Sequence, residues 1–465
     1  ASTSLTVLAS VPIFALWIPT PGRFPRMILV SAAAYNRHWH RPFCKRLPPG
    51  SGQKPGGLEM GSRVEQTSFD RFFAGAPPEI DLDTIRQEWL ALRPAHRIAE
   101  RHLPLPVWAR RTFTESGEQA WRLLSQDVPV IDAARAFSIY IHIPFCASRC
   151  SFCDCYSFRL ASHRGRHING YLDLLAREMS LWGRLGTLAR RPVSTIHFGG
   201  GTPTDLGVEP FSRLVRYCRE NFATTAGTEW ALESTATEFS PEVMACLEEL
   251  GFARLHIGVQ TLRENIRRAL NRRASADTVL ATLARAVESG WVVSVDLIYG
   301  LPGQTLHGLL DDIRSLAAVG VNGFSLYELQ LSSRNRRFAR HHALGKRDRQ
   351  LNYWLSQAAA HLLNALGYRK TLFNHYADDR DTNLYFTFPA RGEDCLALGT
   401  IADGYFCDYH YRHPEYAAYS RSLNDSFPGL SGGLRRNEFE NRLQTLSIAL
   451  MGGTVPESLF ADPVS

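Results

Sequence analysis

The sequence predicts an α/β protein in which a partial (β/α)6 TIM-type barrel is followed by a smaller C-terminal α+β domain. Three observations lead to this fold class. Short apolar strands alternate with amphipathic helices from residue 137 onward. The alternation gives six βα-type units before the pattern changes near residue 340. The chain has 465 residues, 45% of them hydrophobic, which is enough for one large core and an appended domain.

The six units follow one another along the chain with little interruption. The predicted strands are residues 138–143, 193–198, 229–233, 254–259, 292–297 and 323–329. The helices between them are predicted from Tyr171 to Trp182 and around 210–219, 241–250, 262–270, 276–289 and 306–318. Because the loops at the carboxyl ends of parallel strands converge in such folds, we expect one site at that end of the barrel.

The C-terminal part, residues 341–465, is predicted to form a domain that covers the barrel mouth. It contains a helix near 351–366, a segment rich in glycine and aromatic residues, and a final helix near 438–451. Its aromatic residues either stack on a flat substrate or belong to the core, and the core is the more frequent role of such clusters. These residues are Tyr405, Phe406, Tyr409 and Tyr411.

The N-terminal part is predicted to contain a disordered or spurious leader, residues 1–67, and a segment over 68–136 that packs on the core. Leu5 to Pro19 is apolar, but no basic residue precedes it and Pro12 interrupts it, so it does not fit a secretion signal. No run of 18 or more apolar residues is present. We therefore expect a cytoplasmic protein without a membrane partner.

The charge pattern is basic but widely spread, with a formal net charge of +7 and a pI near 9.0. Short runs such as Arg334-Asn335-Arg336-Arg337 and Arg267-Arg268 allow a nucleic-acid interpretation. Without a recognisable binding module, a solvated face or a site for an anionic substrate is the favoured interpretation. The sequence therefore predicts no nucleic-acid partner.

A C-x3-C-x2-C triplet, Cys146, Cys150 and Cys153, directly follows the first predicted strand. Three thiolates on one short loop suit three corners of a cubane iron–sulfur cluster, whose usual protein complement is four cysteines. The iron without a protein ligand would then be open to another molecule. Cys155 could be the fourth ligand, although the chain would have to double back sharply to place it there.

Two other uses of the triplet are a disulfide loop and a zinc site. The chain has only 9 cysteines in 465 residues, and the six outside the triplet form no second close pair, which disfavours a disulfide-built protein. His163 and His167 form an H-x3-H pair that could complete a zinc site. Their distance from Cys150 and Cys153 is shorter than in a zinc finger, and Cys146 would have no role.

An open iron can chelate a molecule that offers an amine and a carboxylate together, as the methionine part of S-adenosylmethionine does. Electron transfer into the bound sulfonium would cleave its C–S bond and release a strongly oxidising carbon radical. The run Gly199–Thr204 would let the backbone approach the amino group of such a ligand, because glycine has no Cβ atom. A plain turn is the alternative for that run.

Polar residues near the ends of the later strands could contact the same ligand. Glu233 and Asp296 could accept hydrogen bonds from ribose hydroxyls or an amino group, or could pair with an arginine such as Arg272. Gln260 could orient a ligand, with the same structural alternative. His142 fits a core histidine as well as a functional one.

Four separated motifs follow one another along the chain. They are Tyr140–Phe145 leading into the triplet, Gly199–Thr204, Gly258–Gln260, and Asp296–Thr305. Together they resemble the oxygen-independent coproporphyrinogen III oxidase family of radical S-adenosylmethionine enzymes, over about residues 137–330 and more loosely to the end. The zinc interpretation explains none of the later motifs.

The resemblance implies roles for particular residues. It implies that Cys146, Cys150 and Cys153 hold a [4Fe-4S] cluster and that Cys155 is a non-ligating cysteine. Contacts to the cluster-bound S-adenosylmethionine are implied for Tyr140, Gly200 and Glu233. The positions that align with those lining a second S-adenosylmethionine molecule are Phe152, Gly201, Thr202, Gln260, Arg272, Asp296 and Gln330.

Within the family, Arg267–Leu270, Asn383-Leu384-Tyr385 and the segment Ala95–Pro106 look more like the methyltransferase-type members, including those that degrade heme anaerobically. The resemblance thus implies an enzyme that uses a second S-adenosylmethionine for methyl transfer to a tetrapyrrole or a similar conjugated substrate. An oxidative decarboxylase of the coproporphyrinogen oxidase type and a non-catalytic heme chaperone are the alternatives. We further expect a monomer that receives electrons from a donor such as flavodoxin or ferredoxin.

Overall fold

The computed structural model describes most of the chain from residue 68 onward and two strands before it. The described residues are 13–20, 23–31, 68–91, 106–108, 111–127, 134–160, 164–186, 188–344, 349–372 and 374–451. Ile13–Thr20 and Arg23–Ser31 pair as antiparallel strands. This pair is regular structure within the segment 1–67 that the sequence predicts to be disordered. The rest of that segment lies outside the described residues, so the leader stays a prediction.

Six parallel strands form the centre of one large sheet and confirm the predicted βα units. They are Phe137–Ile143 (β1), Val193–Gly200 (β2), Glu229–Ser234 (β3), Phe252–Gln260 (β4), Val292–Tyr299 (β5) and Gly323–Glu328 (β6). Each strand is hydrogen-bonded to the next in chain order. The mixed α/β architecture with a large parallel sheet is therefore the predicted fold class.

Helices connect the strands close to the predicted positions. They are Arg164–Gly183 (α1), Val208–Asn221 (α2), Pro241–Glu249 (α3), Glu264–Ala269 (α4), Ala276–Glu288 (α5) and Leu306–Val319 (α6). Three of them begin where a hydroxyl side chain accepts a hydrogen bond from a free amide of the first turn. These N-cap residues are Ser240, Ser275 and Thr305.

The core strands present two different faces. Apolar side chains at alternate positions, such as Ile139, Ile141 and Val295, are fully buried in one hydrophobic cluster with residues of the surrounding helices. The intervening positions carry polar side chains that hydrogen-bond from strand to strand, as His197 on β2 does to Glu233 on β3. This period of two explains why the segments form strands and places polar groups along one face of the sheet.

The C-terminal strands continue the same sheet at both edges. Cys395–Leu398 pairs in parallel with β1, and Asp403–Phe406, Tyr409–Arg412 and Gly432–Arg435 follow it in antiparallel order. At the other edge, His375–Ala377 pairs antiparallel with β6, and Arg369–Leu372 pairs with it in turn. The predicted boundary between a core and a C-terminal domain stays a prediction.

The C-terminal helices are Arg336–His341 (α7), Arg349–Ala365 (α8), Leu384–Ala390 (α9), Tyr416–Ser422 (α10) and Glu438–Met451 (α11). Helix α9 lies against β1 and β2. Phe69 and Trp89 of the N-terminal segment make ring contacts with Trp354 of α8. Across the described ranges, no helix is both long and apolar enough to cross a membrane.

The aromatic residues near position 405 belong mainly to the core. Phe406, Tyr409 and Tyr411 are buried and form part of the main hydrophobic cluster. Tyr405 packs against Trp108 with ring centroids 5.6 Å apart. The core interpretation of this cluster is thus confirmed for the three buried rings, and their stacking on a substrate is excluded.

Candidate functional site

The cysteine loop follows β1 and is fixed by contacts to three other parts of the chain. Phe145–Cys146 pairs with Phe158–Arg159 as a short parallel ladder. The Ser151 amide donates to the Leu270 carbonyl at 3.1 Å, just beyond α4. The Asn335 side chain, just before α7, donates to the Phe152 carbonyl at 2.8 Å. These contacts hold all three cysteines of the triplet on one ordered loop.

Each of the three sulfurs has a hydrogen-bond donor beside it. The Thr202 hydroxyl donates to Cys146 Sγ at 3.6 Å, and Arg272 Nη1 donates to Cys150 Sγ at 3.3 Å. A hydrogen bond with Cys155 lowers the pKa of the Cys153 thiol to about 6. The same hydrogen bond raises the pKa of Cys155. Cys153 is therefore the more readily ionised of the two, and the assignment of Cys153 as a ligand and Cys155 as a bystander stays a prediction.

The donor set of the loop fits an iron–sulfur cluster. The eight cysteines that the structure describes are free thiols, while Cys44 lies outside the described residues. Within the described ranges, no three His, Cys, Asp or Glu side chains converge on a position for a single metal ion. A tetrahedral zinc ion needs such convergence, whereas a cubane cluster takes each thiolate at a separate corner. His163 of the zinc alternative is not among the described residues.

The glycine run is tightly packed rather than a plain surface turn. A Cβ atom on Gly200 would lie 2.4 Å from Cε1 of the His142 ring, and one on Gly201 would lie 2.4 Å from the Phe145 carbonyl oxygen. Gly200 also has a φ of +107°, which favours glycine. The Gly201 amide donates to the Ile143 carbonyl at 2.7 Å. The run is therefore a backbone edge pressed against the end of β1.

Tyr140 and His142 form a pair on β1. The Tyr140 hydroxyl lies 3.0 Å from His142 Nδ1, and His142 Nε2 lies 3.3 Å from the Tyr156 carbonyl oxygen. Burial lowers the pKa of His142 to about 4, so the ring is neutral at neutral pH. Nε2 then carries the proton, and Nδ1 accepts a hydrogen bond from Tyr140. His142 is a satisfied buried histidine that orients the Tyr140 hydroxyl.

Glu233 lies at the end of β3 and contacts the glycine run. Its Oε2 accepts a hydrogen bond from the Gly200 amide at 3.3 Å, and its Oε1 lies 3.1 Å from His197 Nε2. Burial favours the neutral carboxyl, but the hydrogen bond and charge of His197 outweigh it and lower the pKa to about 2. Glu233 is thus an ionised acceptor beside the glycine run, without an arginine partner among the described residues.

Asp296 and Gln260 lie on neighbouring strands. Asp296 does not close its strand as predicted, because β5 continues to Tyr299, and its Oδ1 lies 2.5 Å from His256 Nε2. Gln260, the last residue of β4, has a φ of +64°. Its Oε1 is buried and has no hydrogen-bond partner within the described part of the chain. A buried acceptor without a partner calls for an explanation, and a ligand bound here would supply the missing donor.

Arg272 does not pair with Glu233 or Asp296, so the alternative of an ion pair between Arg272 and either carboxylate is wrong. Its guanidinium group donates to the Gly258 carbonyl and to Cys150 Sγ. Gln330 and Phe152 are joined through Asn335, whose side chain donates to the carbonyl oxygens of both. The structure thus links Thr202, Arg272, Phe152 and Gln330 to the cysteine loop.

Three residues complete the site that were given no role in it from the sequence. His197 and His256 each bind a predicted carboxylate, and the Tyr385 ring lies parallel to the His197 ring with centroids 3.8 Å apart. Each histidine follows another polar residue of its strand by two positions, His197 after Thr195 and His256 after Arg254, so it lies on the same face. That alternation is a signal available from the sequence, whereas the approach of Tyr385 is not.

Comparisons with known proteins agree with this geometry. A family profile described as the radical SAM superfamily matches residues 140–316. Over 217 residues the chain is 35% identical to oxygen-independent coproporphyrinogen III oxidase of Escherichia coli (strain K12). This match covers 46% of each protein. Over 284 residues it is 29% identical to anaerobilin synthase of Escherichia coli O157:H7, and this match covers 59% of this chain and 62% of that protein.

A third relative and a solved structure extend the comparison. Heme chaperone HemW of Mycobacterium tuberculosis (strain CDC 1551 / Oshkosh) is 30% identical over 194 residues, 42% of this chain and 49% of that protein. The chain thus spans about half the length of the curated relatives it matches. The solved coproporphyrinogen III oxidase (HemN) from Escherichia coli superimposes with a TM-score of 0.64 and 25% identity, over 76% of this chain and 85% of that one.

Proposed function

Because this chain carries a radical SAM domain and is a homologue of proteins named coproporphyrinogen III oxidase, anaerobilin synthase and HemW, we propose that it is a radical S-adenosylmethionine enzyme. When bound by Cys146, Cys150 and Cys153, a [4Fe-4S] cluster would supply the electron that cleaves S-adenosylmethionine to methionine and a 5′-deoxyadenosyl radical. The residues around the cysteine loop then bind the substrate molecules and orient them.

Tyr140, Gly200 and Glu233 form the proposed contact surface for the first S-adenosylmethionine. Glu233 is ionised over the whole neutral range, so it can accept hydrogen bonds from an ammonium group or from ribose hydroxyls. The missing Cβ of Gly200 leaves the His142 ring in place below the backbone. Tyr140 offers its ring face, and its hydroxyl is oriented by His142.

A second S-adenosylmethionine would lie against Phe152, Gly201, Thr202, Gln260, Arg272, Asp296 and Gln330. The observation that carries this proposal is the pair of hydrogen bonds from Thr202 to Cys146 and from Arg272 to Cys150. They tie residues of the proposed second site directly to the cysteine loop. The orphaned Oε1 of Gln260 is an acceptor without a protein donor in the described residues, as a ligand-binding group would be.

The proposed reaction is methyl transfer from the second S-adenosylmethionine to a tetrapyrrole or a similar conjugated substrate. It is supported by the likeness of Arg267–Leu270 and Asn383-Leu384-Tyr385 to the methyltransferase-type members, together with the match to anaerobilin synthase over 59% of this chain. The partly exposed Tyr385 ring, stacked on Tyr140, adds an aromatic surface next to the site.

Anaerobic turnover tests this proposal. Reconstituted protein is incubated with S-adenosylmethionine, dithionite and candidate tetrapyrroles, and the products are identified by mass spectrometry. We expect both S-adenosylhomocysteine and 5′-deoxyadenosine. Deoxyadenosine with carbon dioxide would instead indicate oxidative decarboxylation. Stoichiometric heme binding without any consumption of S-adenosylmethionine would contradict both enzyme functions and indicate a chaperone.

A cysteine series tests the cluster separately from turnover. C146A, C150A and C153A are each expected to lose most of the bound iron and sulfide and the visible absorption of the cluster. C155A is the matched control, because its thiol is a neighbour of Cys153 and not a proposed ligand. Loss of iron in C155A to the same extent as in C153A would contradict the three-cysteine assignment.

A further inference from the structure

A narrow cavity lies beside β6 on the polar face of the sheet. Its lining comes from β6, from the two edge strands next to it and from the start of α9, and includes Ser325, Tyr327, Leu372, His375, Asn383 and Phe386. The empty space within it is about 190 Å³ with its open end included. That is room for a side group of a ligand and not for a flat ring system. The proposed function gives this cavity no role.

The cavity opens towards the proposed S-adenosylmethionine contacts. Tyr327 and Phe386 are the partly exposed members of the lining, whereas its other residues are buried. The Phe386 ring lies 6.5 Å from the ring of His256, the residue that holds Asp296. Phe386 also packs on Tyr385, with ring centroids 4.7 Å apart. A flat ligand that lies on these two aromatic rings can therefore extend a side group into the cavity.

Asn383 has an unused hydrogen-bond donor in this cavity. Only 4% of the residue is exposed, and its Nδ2 has no acceptor within the described part of the chain. An asparagine that precedes a helix commonly accepts a hydrogen bond from an amide of the first turn. Asn383 precedes α9 but makes no such bond, and its φ of +45° lies in the left-handed region that asparagine tolerates. Capping of the helix therefore does not explain why an amide is buried here.

The other polar groups of the lining already have partners. His375 Nδ1 lies 2.9 Å from Ser325 Oγ, and its Nε2 lies 2.8 Å from the Asp381 carboxylate. The Tyr327 hydroxyl hydrogen-bonds with Ser325. Asn374, the second asparagine of the lining, donates to a backbone carbonyl of β6 at 2.7 Å. The unused donor before α9 is therefore the group that a ligand would meet.

The chemistry of the lining favours a neutral acceptor over an ionised one. Among the described residues that line the cavity there is no Lys or Arg, so a carboxylate would be buried without a counter-ion. Asp381 stands behind His375, and its own charge is matched by Arg254. Leu372 and Phe386 offer apolar walls to the carbon atoms of a side group. A carbonyl oxygen on a short carbon side group fits these features.

We propose that this cavity binds a neutral carbonyl side group of the conjugated substrate, whose oxygen accepts a hydrogen bond from Asn383 Nδ2. The inference rests on the proposed function, because the ligand is the conjugated substrate of that reaction. It adds which side group of the substrate is recognised, and by which residue. With the ring system on Tyr385 and Phe386, the edge that bears the carbonyl group is fixed relative to Asp296.

Binding of three porphyrins tests the proposal without turnover. Mesoporphyrin IX, diacetyldeuteroporphyrin IX and coproporphyrin III carry ethyl, acetyl and carboxyethyl groups at the same two ring positions and are otherwise alike. Their affinities for the reconstituted full-length protein are measured by anaerobic absorption titration. We expect the acetyl compound to bind about tenfold more tightly than the ethyl compound, because only the acetyl group accepts the hydrogen bond. Coproporphyrin III should bind no more tightly than mesoporphyrin IX.

The N383G variant tests the residue. Glycine suits the φ of +45° at this position, so the variant removes the donor without adding backbone strain. It should bring the affinities of the acetyl and ethyl compounds together and bind S-adenosylmethionine like the wild type. A343G is the matched control, since Ala343 also has a positive φ, +49°, but is exposed and does not line the cavity. It should keep the wild-type preference for the acetyl compound.

The comparison of the three compounds on the wild type does not depend on the folding of any variant. Equal affinities for the acetyl and ethyl compounds would overturn the proposal, as would an acetyl preference that N383G retains. Tightest binding of coproporphyrin III would also overturn it, because a carboxylate would then be the preferred group. Loss of S-adenosylmethionine binding in N383G would show that the amide supports that ligand instead. If none of the three porphyrins binds, the tetrapyrrole substrate of the proposed function is contradicted, and this inference with it.

Discussion

The rings of His197 and Tyr385 lie face to face, with centroids 3.8 Å apart and planes within 10° of each other. Tyr140 lies beside this stack, with its ring centroid 5.3 Å from that of Tyr385 and 6.3 Å from that of His197. His197 in turn holds Glu233. A residue of the C-terminal helix α9 therefore fixes the histidine that positions a proposed S-adenosylmethionine contact, although the two lie 188 positions apart in the sequence.

Replacing His197 is expected to weaken S-adenosylmethionine binding through Glu233. In H197A the Glu233 carboxylate loses one of its two hydrogen-bond donors and keeps only the Gly200 amide, so its pKa should rise from about 2. Loss of one charged hydrogen bond predicts a dissociation constant about tenfold higher or more. Affinity should also fall further as the pH decreases, because Glu233 then becomes protonated. Equilibrium dialysis with labelled ligand over a pH series measures both effects.

Three further variants test whether His197 acts by positioning Glu233 or whether its replacement disturbs the fold in general. H197Q retains an N–H donor and should recover most of the affinity. Y385F keeps the stacked ring and should bind like the wild type, whereas Y385L leaves His197 free to move and should resemble H197A in part. H410Q is the matched control, because His410 pairs with Asp403 at 3.0 Å far from the cysteine loop. Unchanged affinity and pH profile in H197A would show that Glu233 does not depend on His197.

The Gly200→Ala substitution is expected to disturb the site more than its backbone strain explains. Its Cβ would lie 2.4 Å from the His142 ring, so the ring must move and the Tyr140–His142 hydrogen bond is lost. Gly207→Ala is the matched control, since Gly207 also has a positive φ, +87°, but nothing within 4 Å of its Cβ position. Strain alone should cost each variant about 1–3 kcal/mol of unfolding free energy. Only G200A should also lose ligand affinity, and equal affinities would contradict the packing argument.

The elements of the barrel could be predicted because their patterns are local. The strand Val292–Tyr299 and the helix Leu306–Val319 lie within two residues of their predicted bounds. Alternating burial defines the strand, and the Thr305 cap defines the start of the helix. Cys146, Gly200 and Glu233 could be named for the same reason, since each follows or closes a strand whose end the sequence marks.

Contacts between distant segments could not be predicted from such patterns. Cys395–Leu398 pairs with Ser138–Ile141, and no periodicity in either segment specifies that partner. Glu178 is a second residue whose contacts the sequence pattern does not specify. It stands in the apolar stripe of helix α1 and is completely buried there. Its partners come from the C-terminal segment, where Tyr419 donates to it at 2.6 Å. A buried charge indicates that a partner exists without telling where it lies.

The His413–Glu178 pair predicts a loss of stability as the pH rises. His413 Nε2 lies 2.7 Å from Glu178 Oε1, and both side chains are fully buried. Burial disfavours the charged imidazole, but the charge and hydrogen bond of Glu178 outweigh it and raise the pKa of His413 above 6.5. Because the folded pKa is higher than the unfolded one, the contribution is complete below about pH 6.5 and lost as the pH rises through the folded pKa.

Denaturant unfolding over about pH 5 to 9 measures this dependence. The wild type should lose unfolding free energy towards high pH, and H413Q should be less stable at low pH and show a flatter profile. Y419F is the control, since it removes one hydrogen bond to Glu178 without removing the titrating group. It should lower stability by about 1 kcal/mol at every pH. If H413Q shows the same pH dependence of stability as the wild type, His413 is not the group that causes it.

Asp381 is expected to be a carboxylate of the C-terminal part on which stability depends strongly. It is fully buried and bonded to Arg254 of β4, to the Ser294 hydroxyl at 2.6 Å and to His375 Nε2 at 2.8 Å. Burial opposes its ionisation, but His375 and Arg254 hold its pKa well below the usual 3.8. In D381N the charge of Arg254 is left buried without its main partner, and such a loss costs about 3–5 kcal/mol of unfolding free energy.

The neighbouring Asp379 provides the comparison for D381N. Its carboxylate is 92% exposed and lies 3.3 Å from Arg369, so D379N should cost less than about 1 kcal/mol. The two variants remove the same charge two residues apart. Because the pKa of Asp381 is depressed in the folded protein, its ionised form stabilises the fold above about pH 4, and this stabilisation is lost as the pH falls. D381N should therefore also flatten the acid limb of the stability profile. Equal unfolding free energies for D381N and D379N would show that Asp381 does not anchor this segment to the barrel.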